Sequence, residues 1–340
     1  MQFRIDSMSR LVMATLLGVT CIGSGTALAQ QKARLGHAMP TEHPQAKTMD
    51  KFAELAGKYT EGRVQIQVYP GGVLGGDDKM LQATQAGTQE IYYGAVSPIA
   101  GRVKPLQAFD FPFLFNNYDE VDYVFRGAMG QKLFDMMRPL NVVGLAWGEA
   151  GFRQLSNSKR AIKRVEDLGG LKIRVMQNPV ALETWKAMGT NAVPMSYAEV
   201  FTALETKALD GQENPLIHMY ANKMYEVQKY ITVTNHVYTP CAILVSTKYW
   251  NALAPKDQEA LKKAATESMV FHRQIMTAAD QDVIAKLRQH GVSVEPLPPS
   301  ELTKLREKVK PVIDKFTPEV GSEFVASFFA EIEKARKQAK

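Results

Sequence analysis

The chain has 340 residues, of which 45% are hydrophobic and 22% are charged, and its formal net charge is +6. These fractions are typical of a globular protein and exclude the disordered, collagen-like and low-complexity classes. The length is too great for one ordinary hydrophobic core, so it predicts two lobes or one large α/β domain.

The first 29 residues have the layout of a secretory signal peptide. Arg4 and Arg10 precede an apolar run, Leu11–Ile22, and small residues then lead to Ala27-Leu28-Ala29. The run is too short to cross a bilayer, which takes about 20 apolar residues, and the A-x-A ending predicts cleavage before Gln30. We therefore expect an exported protein.

Removal of this segment changes the charge and the cysteine count. The segment carries a net +1 of the total +6, so the remainder carries +5, and it contains Cys21, one of the two cysteines. The lipoprotein alternative at Cys21 is weak because Thr20 precedes it. Cys241 is then alone and cannot form an intramolecular disulfide. It could act as a nucleophile near His236, but its position in an apolar run favours a small buried side chain.

Strands and helices alternate through the first half of the chain. Alternating or continuous apolar patterns predict strands, a 3.6-residue period predicts helices, and glycine-rich turns separate them. The predicted strands are 34–38, 64–69, 90–93 and 142–147, and the predicted helices are 49–59 and 78–85. This order favours mainly parallel sheets covered by helices.

The second half of the chain repeats this organisation. The predicted extended segments are 151–156, 171–175, 191–194, 231–234 and 242–246, and the predicted helices are 179–188 and 198–208. No sequence repeat of fixed period is present, so a solenoid is not expected.

One predicted helix is unusually long. From Pro255 to His290 there is no glycine and no internal proline, and Gly291 stands where a helix stop belongs. At ~1.5 Å per residue the helix would be roughly 54 Å long, more than one small lobe. We expect it to run across two lobes; the alternative is two helices that meet near Ala279-Asp280.

Signatures of common catalytic and metal sites are missing. The sequence has no G-x-S-x-G, H-E-x-x-H, Walker A or EF-hand pattern. The loop with His37, Glu42 and His43 could bind a metal, but this pattern is more typical of a solvated surface. The lysines and arginines form only short runs without interleaved aromatic residues, so nucleic acid is not an expected partner.

Two arginines could recognise an anion. Arg174 lies in an alternating strand, on the face opposite Ile173 and Val175, and Arg153 lies in the extended segment 151–156. A guanidinium group binds a carboxylate through two parallel hydrogen bonds. Spacing alone favours a solvent-facing Arg174 and leaves Arg153 open.

Six segments resemble the DctP-type solute-binding proteins of TRAP transporters. They occur in the family's order and at similar spacings between about Ala33 and Gly291: 74–81, 111–115, 169–175, 193–204, 209–215 and 225–230. The resemblance implies an α/β, two-lobed periplasmic binding protein fold of type II-like architecture, with lobes joined by strands and a long spanning helix. It places 30–150 and about 240–279 in one lobe, 151–239 and about 280–318 in the other, and a C-terminal helix at 319–340.

The resemblance also implies a function. A protein of this family captures a small organic acid anion in the periplasm, closes over it and delivers it to a membrane permease; it catalyses no reaction and needs no cofactor or metal. The ligand would be a C4-dicarboxylate or a sugar acid such as a hexuronate, and a monomer is expected. The alternatives are an ABC-type or sensor-linked binding protein for a carboxylate and, less favoured, an exported enzyme.

The ligand contacts carry over residue by residue. Arg174 matches the arginine that pairs with the ligand carboxylate, Arg153 the second cleft arginine, and Asn214 the asparagine that binds the same carboxylate. The remaining positions, which the resemblance or their polarity suggests as further contacts, are Tyr197, Gln177, Gln154, Asp77 (or Asp78) and His37.

Overall fold

The computed structural model describes residues 30–338. The predicted signal peptide, residues 1–29, lies outside the described residues. Among the helices of residues 30–338, none is long and apolar enough to cross a membrane.

Two β-sheets organise the described chain. The strands are β1 Gln31–Gly36, β2 Val64–Tyr69, β3 Ile91–Ala95, β4 Val142–Phe152, β5 Gln154–Asn157, β6 Lys172–Val175, β7 Asn191–Pro194, β8 Gly211–Asn214, β9 Tyr230–Val233, β10 Tyr238–Ser246 and β11 Ser293–Pro296. The first sheet has the order β2-β1-β3-β10-β4 and the second the order β11-β9-β5-β8-β6-β7. We call the sheets with their covering helices the first and the second lobe.

Helices cover both sheets. They are α1 Pro44–Tyr59, α2 Asp77–Ala86, α3 Tyr118–Arg126, α4 Ala128–Met137, α5 Pro179–Ala187, α6 Val200–Glu205, α7 Leu216–Ala221, α8 Thr247–Ala252, α9 Pro255–Gln289, α10 Pro299–Val320 and α11 Ser322–Gln338. The two faces of the first sheet contribute to different hydrophobic cores, because side chains alternate between the faces along each strand. Tyr92 and Leu244 enter one core of the first lobe, whereas Tyr93 and Ile243 enter the other.

Both sheets are mixed, which corrects the expectation of mainly parallel sheets. β1 is parallel to β2 and β3, and β6 is parallel to β7 and β8, but β10 and β5 are antiparallel to both of their neighbours. The cause is the crossing of the chain between lobes. β4 passes directly into β5, and β9 leads back into β10, so each crossing strand enters its new sheet from the carboxyl edge of the parallel strands.

Helix α9 connects the lobes as a single element. It runs from Pro255 to Gln289, packs on α1 and β4 of the first lobe, and packs on α7 and β11 of the second. Its 35 residues span ~52 Å at 1.5 Å per residue. The alternative of two helices meeting near Ala279 is therefore wrong.

Helix α10 also contacts both lobes. Leu305 and Val309 lie in a core of the second lobe, whereas Val312 and Phe316 lie in a core of the first. Residues up to 318 were expected in the second lobe alone, so the packing of α10 refines that division. The C-terminal helix expected at 319–340 is α11, which begins at Ser322 after Gly321.

Candidate functional site

A cleft lies between the lobes, at the carboxyl ends of the parallel strands. Its walls come from both sides: Asp77, Gly94 and Ala95 from the first lobe, and Arg174 and Asn214 from the second. The carboxyl edge of such strands is where α/β proteins commonly bind ligands. The cleft has an empty volume of about 660 Å³, part of it open to solvent, which is within the range of small-molecule binding sites. This size suits a small organic molecule.

Arg174 is a buried cation on β6. Its side chain is 3% exposed, so the solvent-facing alternative is wrong. Nε donates to the carbonyl oxygen of Met195 at 2.8 Å, and no carboxylate in residues 30–338 comes within 4.0 Å of the guanidinium. Burial lowers the pKa of Arg174 to about 10. The group therefore stays charged at neutral pH, without an acidic partner, on the wall of the cleft.

Arg153 lies at the crossing between β4 and β5 and has an acidic partner. Its Nε and Nη2 donate to the two carboxylate oxygens of Glu213, the second at 2.8 Å, and Nη1 donates to Thr239 Oγ1 at 3.2 Å. Burial alone would raise the pKa of Glu213, but the charge of Arg153 and a hydrogen bond with His236 lower it. The Arg153–Glu213 pair is therefore electrically neutral as a unit, although Arg153 still lines the cleft.

Tyr197, Asn214 and Gln177 also line the cleft. The ring of Tyr197 lies 5.8 Å from the guanidinium carbon of Arg174, and its buried hydroxyl has no hydrogen-bond partner among the described residues. Asn214 ends β8, and its Nδ2 donates to Gln212 Oε1 at 2.5 Å. Gln177 is exposed, so it lies at the mouth of the cleft.

Asp77 brings a negative charge from the first lobe. It is the first residue of α2, where a carboxylate is favoured by the helix dipole. Its Oδ1 accepts from the hydroxyl of Tyr92 at 3.0 Å. Burial raises the pKa of Asp77 to about 6, and the Tyr92 hydrogen bond and the charge of Arg174 offset only part of this effect.

Two of the predicted residues, Gln154 and His37, do not line the cleft. Gln154 Oε1 accepts from the backbone N–H groups of Thr234 and Asn235, at 2.8 and 2.9 Å, so its side chain ties the two interlobe crossings together. His37 is 1% exposed, and burial lowers its pKa to about 4. It ends up inside the first lobe because the strand it follows, β1, is a central strand of the sheet.

The cleft also contains residues that the sequence did not predict. Gln45 Nε2 donates to the carbonyl oxygen of Glu149 at 2.8 Å, and His218 Nδ1 lies 3.3 Å from His43 Nε2. Burial lowers the pKa of His218 to about 3, so the imidazole is neutral. His218 lies four residues after Asn214, in the helix that follows Pro215. This short separation from Asn214 was the only feature of the sequence that could have indicated His218 as a cleft residue. Cys241 is 2% exposed, with a raised thiol pKa caused by burial, on the cleft wall.

Comparisons with known proteins agree with this architecture. The family model "Bacterial extracellular solute-binding protein, family 7", DctP, matches residues 35–319. The sugar acid binding protein DctPAm from Advenella mimigardefordensis, solved with galactonate, superposes with a TM-score of 0.88 at 37% identity, covering 90% of this chain and 99% of that one.

Two relatives with named ligands match over most of their length. The 2,3-diketo-L-gulonate-binding periplasmic protein YiaO of Escherichia coli is 30% identical over 80% of this chain and 83% of its own. The C4-dicarboxylate-binding periplasmic protein DctP of Rhodobacter capsulatus is 30% identical over 94% of this chain and 98% of its own. With the family model covering most of its length, the chain belongs to the DctP family of TRAP transporter solute-binding proteins, the bacterial extracellular solute-binding proteins of family 7.

Proposed function

We propose that this protein captures a small organic acid anion in the periplasm, with Arg174 pairing with the ligand carboxylate. Asn214, Arg153 and Tyr197 would complete the contacts from the second lobe, and Asp77 those from the first. The ligand is a sugar acid or a C4-dicarboxylate.

The observation that carries this proposal is the isolation of Arg174. A buried cation without an acidic partner is unfavourable, because it has lost its water without gaining a counter-charge. Arg174 is 3% exposed and has one backbone acceptor. A ligand carboxylate in the cleft would supply the missing negative charge and two further hydrogen-bond acceptors.

The named ligands of related proteins are all acids, which supports the same class of ligand here. Galactonate is named for the Advenella protein, 2,3-diketo-L-gulonate for YiaO and C4-dicarboxylates for the Rhodobacter protein. These proteins are binding proteins, and we extend that role to this chain. The exported enzyme remains the alternative and predicts that the protein would convert such an acid.

Export and delivery complete the proposed role. We infer cleavage before Gln30, release of a monomer into the periplasm and transfer of the ligand to TRAP membrane permease subunits. Lobe closure would follow from contacts that the ligand makes with both lobes at once. An ABC-type or sensor-linked partner is the alternative, which uptake of labelled ligand into permease-containing vesicles driven by a sodium gradient would distinguish.

Binding to an Arg174→Gln variant tests the role of Arg174. Calorimetric titration with galactonate, erythronate, glucuronate and succinate identifies a ligand of the wild-type protein, and NMR of the recovered ligand reports any turnover. We expect Arg174→Gln to weaken binding at least a hundredfold, because the ligand charge is left unpaired. Arg102→Gln, at an exposed arginine, should bind as the wild type does. Unchanged affinity in Arg174→Gln would overturn the assignment.

A further inference from the structure

His218 faces the cleft with a ring nitrogen that no described protein group engages. The imidazole lies in α7 of the second lobe, is 4% exposed and lines the cleft. Its Nδ1 lies 3.3 Å from His43 Nε2. Its Nε2 has no hydrogen-bond partner within residues 30–338 and, unlike the hydroxyl of Tyr197, is not sealed off from solvent. Nε2 is therefore open to the cleft, and what it can bind there depends on whether it carries a proton.

A backbone N–H group fixes the position of the proton on the neighbouring imidazole. His43 is the N-cap of α1, and its Nδ1 accepts from the backbone N–H of Gln45 at 3.0 Å. Because a backbone N–H can only donate, Nδ1 of His43 carries a lone pair, and the one proton of the ring lies on Nε2. The cap of α1 thus determines the tautomer of His43.

The tautomer of His43 in turn determines that of His218. With its proton on Nε2, His43 donates to His218 Nδ1, which is then the acceptor. The one proton of a neutral His218 therefore lies on Nε2, the nitrogen that is open to the cleft. Burial lowers the pKa of both imidazoles, and the charge of Arg153 lowers the pKa of His218 further, so both rings are neutral at pH 7. These hydrogen bonds run from α1 of the first lobe to α7 of the second.

We propose that His218 is a ligand-binding residue that donates a hydrogen bond from Nε2–H to an oxygen atom of the ligand, and that His43 is the positioning residue that holds this tautomer. The proposal rests on the organic acid function proposed above and adds a contact to it. A carboxylate oxygen or a hydroxyl oxygen can accept this hydrogen bond, since both carry lone pairs.

His218 lies close enough to Arg174 for one small ligand to contact both. The ring centroid of Tyr197 lies 5.8 Å from the guanidinium carbon of Arg174 and 6.5 Å from the ring centroid of His218. Arg174 and His218 are therefore neighbours of the same tyrosine on the wall formed by the second lobe. An N–H donor that is removed from water without gaining an acceptor is unfavourable, and an oxygen of the acid held at Arg174 would supply the acceptor.

Nitrogen-15 NMR of the wild-type protein, labelled at histidine, measures the tautomers directly. At pH 7.5 we expect the Nε2–H tautomer for both His43 and His218, with each Nδ1 resonating as an unprotonated ring nitrogen. The protein is then titrated with galactonate, erythronate, glucuronate and succinate. The acid that binds should slow exchange of the His218 Nε2 proton with water at least about tenfold, because hydrogen bonding protects it. An Nδ1–H tautomer of His218, or an unprotected proton in the complex, would overturn the proposal.

Two substitutions of His218 separate its donor from the rest of the side chain. His218→Asn keeps an acceptor for His43 and removes the group that faces the cleft, whereas His218→Gln places an amide NH₂ close to the position of Nε2. In calorimetry at pH 7.5, His218→Asn should bind the same acid about tenfold more weakly, through loss of one hydrogen bond, and His218→Gln should recover most of that loss. His290→Asn, at an exposed histidine, should bind as the wild type does. An affinity of His218→Asn within about twofold of the wild type, or equal losses in the Asn and Gln variants, would refute the contact.

Replacement of His43 by asparagine tests the positioning role. Asparagine is a favoured N-cap, so His43→Asn retains an acceptor for the backbone N–H of Gln45, but it has no group at the position of Nε2. We expect the nitrogen signals of His218 to move toward the average of two tautomers, and the affinity to fall by less than in His218→Asn. Unchanged nitrogen signals of His218 would contradict the role of His43.

Failure of this proposal and failure of the organic acid function give different results. If Arg174→Gln loses binding while a folded His218→Asn does not, the function stands and the assignment of His218 is wrong. If the wild-type protein binds none of the four acids, the function itself is contradicted. Circular dichroism identifies a misfolded variant, and in that case the NMR measurement on the wild-type protein decides the role of His218.

Discussion

Replacement of Arg174 by methionine should stabilise the empty protein. The substitution keeps an unbranched side chain of similar length and removes a charge that has no acidic partner in residues 30–338. Most substitutions of a buried residue destabilise a protein, so a gain in stability is a distinctive expectation. It follows only if the charge of Arg174 is uncompensated until a ligand arrives.

The size of the gain can be worked out from the pKa. Burial lowers the pKa of Arg174 from 12.5 to about 10, and each pKa unit corresponds to ~1.4 kcal/mol, so burial of the charge costs on the order of 3 kcal/mol. The full cost is present at pH 7, because a lowered folded pKa penalises the protonated form at every pH below that pKa. Loss of the hydrogen bond to Met195 offsets about 1 kcal/mol. The net gain of about 2 kcal/mol corresponds to a rise of ~3 °C in Tm for a chain of this length.

Thermal unfolding with and without ligand measures both consequences of this substitution. The Arg174→Met protein should melt ~3 °C higher than the wild type when empty and show no further rise on addition of the acid that binds the wild type. Arg153→Met is the matched control, because it leaves the buried Glu213 unpaired and should cost about 3–5 kcal/mol. If Arg174→Met lowers the Tm of the empty protein as Arg153→Met does, Arg174 has a compensating partner and the reasoning is wrong.

Two further measurements address the cleft. Cys241 is buried with a raised thiol pKa, so in the chain beginning at Gln30 it should react with Ellman's reagent at least about a hundredfold more slowly than in the urea-unfolded chain; rapid labelling of the folded protein would contradict this. Asp77, which faces Tyr92, Asp78 and Arg174, has a pKa raised to about 6, so it becomes neutral as the pH falls below 6, whereas the single carboxyl group of an aldonate such as galactonate, with a pKa of about 3.5, stays ionised. The affinity for such an acid should therefore rise between pH 7.5 and 5 in the wild type, because the like charge of Asp77 is lost, and a similar gain in Asp77→Asn would show that another group is responsible.

Much of the fold could be predicted from local patterns. The helix expected at Pro255–His290 runs from Pro255 to Gln289. Its ends could be predicted to within one residue, because an initial proline and a terminal glycine mark them. The direction of β5 and β10 could not be predicted, since it depends on how the chain crosses between lobes. Helix α10 contains Pro311 and Pro318 and still continues to Val320. A local rule would break it at proline, but burial of one side of the helix in two cores outweighs the lost backbone hydrogen bonds.

The two arginines show where sequence reasoning about the site stops. Both guanidinium groups lie on the cleft wall, and both are almost completely buried. They differ in their acidic partners: Glu213 lies 60 residues after Arg153 in the sequence, on β8, and pairs with it only after the second sheet has formed. Alternation within a strand places a side chain on a face, but it does not reveal which charge meets it there.

The electrostatics of Arg174 and Asp77 also connect affinity with lobe closure. The two groups come from opposite lobes, and the negative charge of a bound carboxylate relieves a cost that is on the order of 3 kcal/mol for Arg174. A ligand shifts an equilibrium only by its differential interaction with the two states, and ~3 kcal/mol realised only when both lobes contact the ligand amounts to a factor of more than a hundred in favour of the closed form. The ion pair between Arg174 and the ligand carboxylate therefore both holds the ligand and favours the closed lobes. A variant that lacks Arg174 should lose affinity and closure together.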